Sequence, residues 1–136
     1  MLIEQEVSEA WQDEVSDWIV RSGCLYMMAW GRDCGSWDDS VDYATLRKFD
    51  FGEMPDDDFV MTTWHEDDTL EDVFDYNLLC AFHPTVELSL LTILHIAPYE
   101  NRKGILGVYD AVKAGLTNDP SIETRPQGFL ARLFGR

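Results

Sequence analysis

The residues of this sequence best suited to chemistry are one cysteine, one histidine and the carboxylates beside them. Cys34 lies between Asp33 and Ser36 in the stretch WGRDCGSWDD, residues 30–39, and His65 opens the run His65-Glu66-Asp67-Asp68 after Trp64. A thiol next to an imidazole becomes a thiolate nucleophile when a carboxylate orients the ring, and Asp33 or Asp67 could serve. Cys34, His65 and Asp67 are therefore the catalytic candidates. Ser36, placed at a helix start, would help to hold an anion. No known nucleophile signature surrounds these residues, so the arrangement must come from the fold.

Other chemistries have less support. Asp33, Asp38, Asp39, His65, Glu66 and Asp67 offer oxygen ligands of the kind magnesium and calcium prefer. No HExxH, DxDxDG or paired-cysteine pattern accompanies them. Helix capping and solvation account for the same aspartates, so no metal ligand is assigned. Gly31 and Gly35 form neither GxGxxG nor a phosphate loop, and Arg32 is the only cation nearby. No cofactor is expected. His83 precedes Pro84 at a helix exit and His95 lies in an apolar run; both are read as structural.

The elements that must position these side chains follow from hydrophobic periodicity. Residues 24–30, CLYMMAW, are apolar on both faces, which marks a strand in the middle of a covered sheet. Residues 2–5, 59–64 and 88–97 supply three more strands. Between them run helical patterns: Trp11, Val15, Trp18 and Ile19 after Ser8; Trp37, Val41 and Ala44 after a Ser36 cap; and Leu70, Val73, Phe74 and Leu78 after a Thr69 cap. Residues 102–114 give a last helix. The β-α-β-α-β-α-β-α order requires helix-length crossovers between parallel strands. The expected fold is α/β: a small three-layer sandwich with a four-stranded, mainly parallel sheet and helices on both faces, flavodoxin-like or Rossmann-like.

In such a sheet the loops after the strands share one edge. That edge should gather Asp33, Cys34, Ser36, Trp37, His65, Glu66, Asp67 and Tyr99, with Glu6 from the loop after strand one.

Composition narrows the partners. The 136 residues suit one domain, expected over residues 1–115, followed by a flexible segment, 116–136, with a short basic amphipathic end, GFLARLFGR. That end would dock on its own acidic domain or serve as a surface helix. Residues 1–97 hold 4 Lys/Arg against 22 Asp/Glu, a net of −18, while residues 98–136 hold 6 against 4, a net of +2. Phosphate backbones would be repelled, which argues against nucleic acid. A field of this sign speeds capture of a basic partner. No stretch is long and apolar enough to span a bilayer, and the start lacks a signal-peptide pattern, so a cytoplasmic location is expected. The three cysteines are too few and odd in number for a disulfide framework; Cys24 and Cys80 are expected in the core. A homodimer is compatible with these features.

The segments CLYMMAWGRDCGSWDDSVD and VMTTWHEDDTLEDVF resemble an uncharacterised bacterial family, a domain of unknown function with MMAWG-DC-SWDDSVD and VMTTWH segments. The resemblance spans about residues 2–98 and stops before the tail. It implies a bacterial cytosolic α/β domain and assigns no residue a role.

Two functions are weighed. The first is a non-enzymatic acidic protein-binding domain in the style of immunity proteins and inhibitors, which set carboxylates against a basic partner such as a toxin. Its binding residues would be Asp33, Trp37, Asp38, Asp39, Trp64, Glu66, Asp67 and Asp68, aromatic anchors with a charged rim. The alternative is a small enzyme or ligand-binding domain using Cys34, His65 and the flanking carboxylates at the C-terminal edge of the sheet.

Overall fold

Four short strands and four helices alternate along the chain in a computed structural model that describes residues 1–118. The elements are β1 (Leu2–Ile3), α1 (Glu9–Arg21), β2 (Tyr26–Gly31), α2 (Cys34–Lys48), β3 (Met61–His65), α3 (Leu70–Leu79), β4 (His95–Ile96) and α4 (Arg102–Thr117), with a single 3₁₀ turn at Asp56–Asp58. All strand pairs are parallel, in the order β3-β2-β1-β4. Helices α1 and α2 cover one face and α3 and α4 the other. This is the expected α/β three-layer sandwich. Its strand order is that of the first four strands of the Rossmann arrangement rather than the flavodoxin-like one.

The two faces are built differently. On the α1/α2 side, Ile3, Met27 and Ala29 meet Ile19 and Val20 of α1 and Cys34, Trp37, Val41 and Ala44 of α2. Small polar residues let the two helices approach: Ser16 is fully buried and shares a 2.8 Å hydrogen bond with Ser40. Arg47 closes the pair by donating to Asp17 at 2.7 Å. On the α3/α4 side the buried cluster is smaller, Leu2, Phe74 and Ile105 with partly buried Trp30, Leu70 and Tyr109 around it, and Met28, Val73 and Leu78 are buried beside it.

Several elements differ from the sequence reading. The expected strand over 88–97 pairs only at His95–Ile96. Its sole neighbour, β1, is two residues long, so Leu2 and Ile3 offer partners to His95 and Ile96 and nothing beyond. Residues 81–94 run as irregular chain. His83 pins them: its Nε2–H donates to the Phe59 carbonyl at 2.7 Å, and its Nδ1 accepts from the Val86 amide at 3.2 Å. On α1, Ser16, Ile19 and Val20 face inward, while Trp11 and Trp18 lie at the margins, about half exposed. The Trp11 ring still meets the buried Trp37 indole edge-on, their centroids 6.3 Å apart.

Helix α2 begins at Cys34, so Ser36 sits inside the first turn and is not its cap; its hydroxyl accepts from Gln12 instead. The reason is the shortness of the β2–α2 connection, Arg32–Asp33. Gly31 at φ +97° and Asp33 at φ 52° turn the chain abruptly. Gly31 is required there, because a Cβ would meet the Ile3 carbonyl oxygen. At α3, by contrast, Thr69 and Asp72 form a complete capping box. All three cysteines are free thiols, but Cys34 is the buried one; Cys24 is half-buried and Cys80 is exposed at the end of α3. Helix α4 runs through Thr117, so residues 116–117 belong to it. The rest of the expected flexible segment from residue 119 on, including all of its basic amphipathic end, lies outside the described residues.

Candidate functional site

The C-terminal ends of the strands carry most of the expected site residues, and the pleat divides them between two faces. Within β2, Met27 and Ala29 face α1 and α2, while Met28 and Trp30 face α3 and α4. The register pairs Met27 with Thr62, Ala29 with Trp64, Met28 with Thr63 and Trp30 with His65. Trp64 therefore lies on the α2 side and His65 on the α3 side. Cys34 packs in the α1/α2 core, 2% exposed, so it and His65 stand on opposite faces of the sheet and do not pair. Buried thiols in apolar surroundings are inert.

His65 has other partners. Its Nδ1–H donates to the Asp68 carboxylate at 2.7 Å, and its Nε2 lies 3.1 Å from the Thr63 hydroxyl. The ring meets Tyr76 edge-on at 5.0 Å, and the Tyr76 and Tyr26 hydroxyls are 3.1 Å apart. Burial, reinforced by the Tyr76 hydroxyl, pushes the Tyr26 phenol well above its ordinary value, so it stays neutral and can donate. The Trp30 indole donates to the Asp68 carbonyl at 2.8 Å. Carboxylate, imidazole and hydroxyl stand in the order of a hydrolase triad. Yet neither Thr63 nor His65 lines either of two cavities, a crevice beside β4 and a groove of about 1020 Å³ beside residues 81–94. The arrangement fastens the end of β3 to the start of α3.

The strand order reverses between β1 and β4, and a crevice of about 640 Å³ opens there. Gln5, Glu6, Ser8 and Trp11 line one wall and His95 and Ala97 the other. In dinucleotide-binding folds this first loop is glycine-rich so that backbone amides reach phosphate. Here it reads Glu4-Gln5-Glu6-Val7-Ser8, without glycine and with two carboxylates. Beside it, Glu4 accepts from His95 Nε2–H at 2.5 Å and from the Tyr99 hydroxyl at 3.2 Å. That hydrogen bond and the Glu4 charge push the Tyr99 phenol up. Sequence reasoning placed His95 in a strand for structural reasons and missed this cluster. The signal needed was the β1–β4 adjacency, which joins residues 91 positions apart.

The remaining expected binding residues divide by exposure. Asp33, Asp39, Trp64, Glu66, Asp67 and Asp68 are at the surface, and Trp64 is 58% exposed. Trp37 and Asp38 are interior. Asp38 Oδ1 is buried without a hydrogen-bond partner. Burial first, then the charges of Asp42 and Asp39, push its carboxyl above the ordinary range, with the Thr62 hydroxyl opposing. Among the described residues no group of three His, Cys, Asp or Glu is arranged to hold a metal ion.

The resulting surface is an acidic edge. From β1 to β3 it exposes Glu4, Glu6, Asp33, Glu66, Asp67 and Asp68 against one cation, Arg32. Arg32 is itself held between Glu6 at 3.8 Å and Asp33 at 3.9 Å. Beyond β4, Glu100 is followed by Arg102 and Lys103, so the charge is concentrated on the β1–β3 side. No helix among the described residues is long and apolar enough to cross a membrane.

No curated protein and no solved structure matches the chain. A family model, described as a domain of unknown function (DUF7684), matches residues 1–112, reaching into α4 and well past the 2–98 span of the sequence resemblance. The chain belongs to this family, the domain of unknown function DUF7684.

Proposed function

We propose that this domain is an acidic, non-enzymatic binding protein that captures a basic protein at the C-terminal edge of its sheet. The observation that supports it is the excess of negative charge there: six exposed carboxylates, of which Glu6 and Asp33 share the one arginine, Glu4 and Asp68 each meet a histidine ring, and Glu66 and Asp67 add to the surplus. Neighbouring strands lie about 4.8 Å apart, so the ends of β1, β2 and β3 span about 10 Å. Six like charges so close repel one another unless an opposite charge covers them. Trp64 and Trp11, both exposed near this edge, supply the aromatic anchors that interfaces use. The partner matching this surface presents lysines and arginines. A bacterial cytoplasmic setting, with the domain acting as an immunity-type or regulatory inhibitor of a basic protein such as a toxin, fits that chemistry.

The test is capture from bacterial lysate on the immobilised full chain, eluted with rising salt. Screening acts over about 10 Å at 0.1 M salt, so an interface of this kind loosens steeply with ionic strength. Retained proteins should be basic and should elute as salt rises. Retention of acidic proteins, or retention indifferent to salt, would contradict the reading.

A further inference from the structure

Strand β3 forms one side margin of the sheet, since β2 is its only neighbour in the order β3-β2-β1-β4. The Met61 amide donates to the Leu25 carbonyl at 2.9 Å, and Tyr26 lies opposite Met61. Along a strand in a parallel ladder, alternate residues turn their main-chain groups to the same neighbour. Met61, Thr63 and His65 therefore bond to β2, and Thr62 and Trp64 turn their N–H and C=O groups away from the sheet. Among the described residues, no hydrogen bond reaches the main chain of Thr62 or Trp64. Proteins blunt such margins with a lysine or proline on the strand, or with a covering segment. Residues 61–65 contain neither lysine nor proline. The irregular segment 81–94 meets the chain at the Phe59 carbonyl, ahead of the strand, through His83.

We propose that β3 takes a further strand from a basic partner, an extended segment that alternates lysine or arginine with apolar residues. The inference rests on the reading of this domain as a capture protein and states how the partner is held. In strand addition, main-chain pairing supplies affinity and alternate side chains supply specificity. The side chains beside the open margin set the chemistry. Thr62 and Trp64 both stand on the α2 side of the sheet. Trp64 is 58% exposed, and indole faces attract cations. Next to them α2 presents Asp42, which accepts from the Thr62 hydroxyl at 2.8 Å, and the exposed Asp39 one turn earlier. Between these two, Asp38 is buried with one carboxylate oxygen lacking a partner. Residues 33–46 contain no lysine or arginine; Arg47 turns to Asp17 and Lys48 to Asp58. An added strand lies about 4.8 Å away, so its α2-side residues come alongside Trp64 and Asp42. A lysine or arginine there lays its stem along the indole and sets its charge among the aspartates. On the other side of the strand, half-buried Met61 and Thr63 offer surface to the apolar residues. A second copy of this chain fits less well, because β3 laid against β3 would bring the same aspartates together.

Amide hydrogen exchange on the full chain, read residue by residue by NMR, tests this with two synthetic peptides of about seven residues. One alternates lysine with valine. The other has the same sequence and charge but is N-methylated at every residue, so it cannot donate to a neighbouring strand. With the first peptide at saturation, the Thr62 and Trp64 amides should exchange about tenfold or more slowly. The N-methylated peptide should leave both unchanged. The variant Asp39→Lys/Asp42→Lys, altered at exposed positions only, should bind the first peptide at least about tenfold more weakly. Equal binding of the two peptides, with Thr62 and Trp64 exchanging at their free rate, would overturn strand addition and leave capture at the acidic edge standing. Binding of neither peptide would also overturn it, while salt-dependent retention of basic proteins decides the capture reading separately. Protection of Thr62 and Trp64 that rises with protein concentration before any peptide is added would make a second copy the occupant, and would overturn it too.

Discussion

The two faces of the sheet bury side chains to very different depths. Trp37, Val41, Cys34 and Ala44 on the α1/α2 side are each no more than 2% exposed, and the helices there touch through Ser16 and Ser40. The α3/α4 side closes over Leu2, Phe74 and Ile105 and then opens into the groove beside residues 81–94. One face is a finished core and holds the fold. The other stays open along that groove. The acidic edge lies across the top of both, held by short connections on the dense side and by the His65–Asp68 pair on the open side.

The sharpest way to break this comparison is to open a hole on each side. Trp37→Ala removes a fully buried indole from a layer with no room to collapse, and should cost about 3–5 kcal/mol in urea unfolding, a large share of a domain's stability. Ile105→Ala, in the open layer where neighbours can relax, should cost near the lower end of the ~2–5 kcal/mol range for such truncations. Equal costs at the two positions would show that the faces are packed alike.

A smaller effect of opposite sign sharpens the picture of the dense face. Asp38 is buried there with one carboxylate oxygen unsatisfied, and burial raises its pKa. Because the folded-state value lies above the unfolded one, the fold binds the proton more tightly. Stability from this group is therefore gained as pH falls through the folded value and is absent at neutral pH. Asp38→Asn removes the buried charge and its repulsion by Asp42 and Asp39, and should raise stability at pH 7 by about 1 kcal/mol, the scale on which a perturbed carboxyl couples to folding. The gain over wild type should shrink as the pH is lowered. Urea unfolding of both proteins across pH reads this directly, and a pH-independent difference would assign the effect to something other than the carboxyl charge.

The same contrast explains what could be read from the sequence. The stripe Trp37-Val41-Ala44 and the Thr69–Asp72 cap were legible because helix periodicity and capping are local. So was the order of elements, and with it the parallel sheet. Strand length was not. The run over 88–97 has every property of a buried strand except a partner, and β1 offers it two residues. Periodicity also points Trp11 and Trp18 inward, but Ser16, Ile19 and Val20 take the buried face of α1 and leave both indoles at its margins. The site was legible as an edge and not as a set of pairs. Cys34 and His65 both follow strands, but one odd–even step of the pleat sends them to opposite faces. The Glu4–His95–Tyr99 cluster depends on β4 lying next to β1, which no local pattern encodes.

The measurement that bears most directly on the acidic edge compares two charge reversals of equal size. One is Glu6→Lys/Glu66→Lys/Asp67→Lys at the edge. The other is Glu53→Lys/Asp56→Lys/Asp57→Lys in the exposed segment before β3. Both change the net charge equally, so a nonspecific field would respond alike to either. Affinity for the captured basic protein at fixed low salt should fall at least about tenfold for the edge variant, as like charges are brought face to face, and change little for the other. Equal losses in the two variants, or none in the edge variant, would contradict the account.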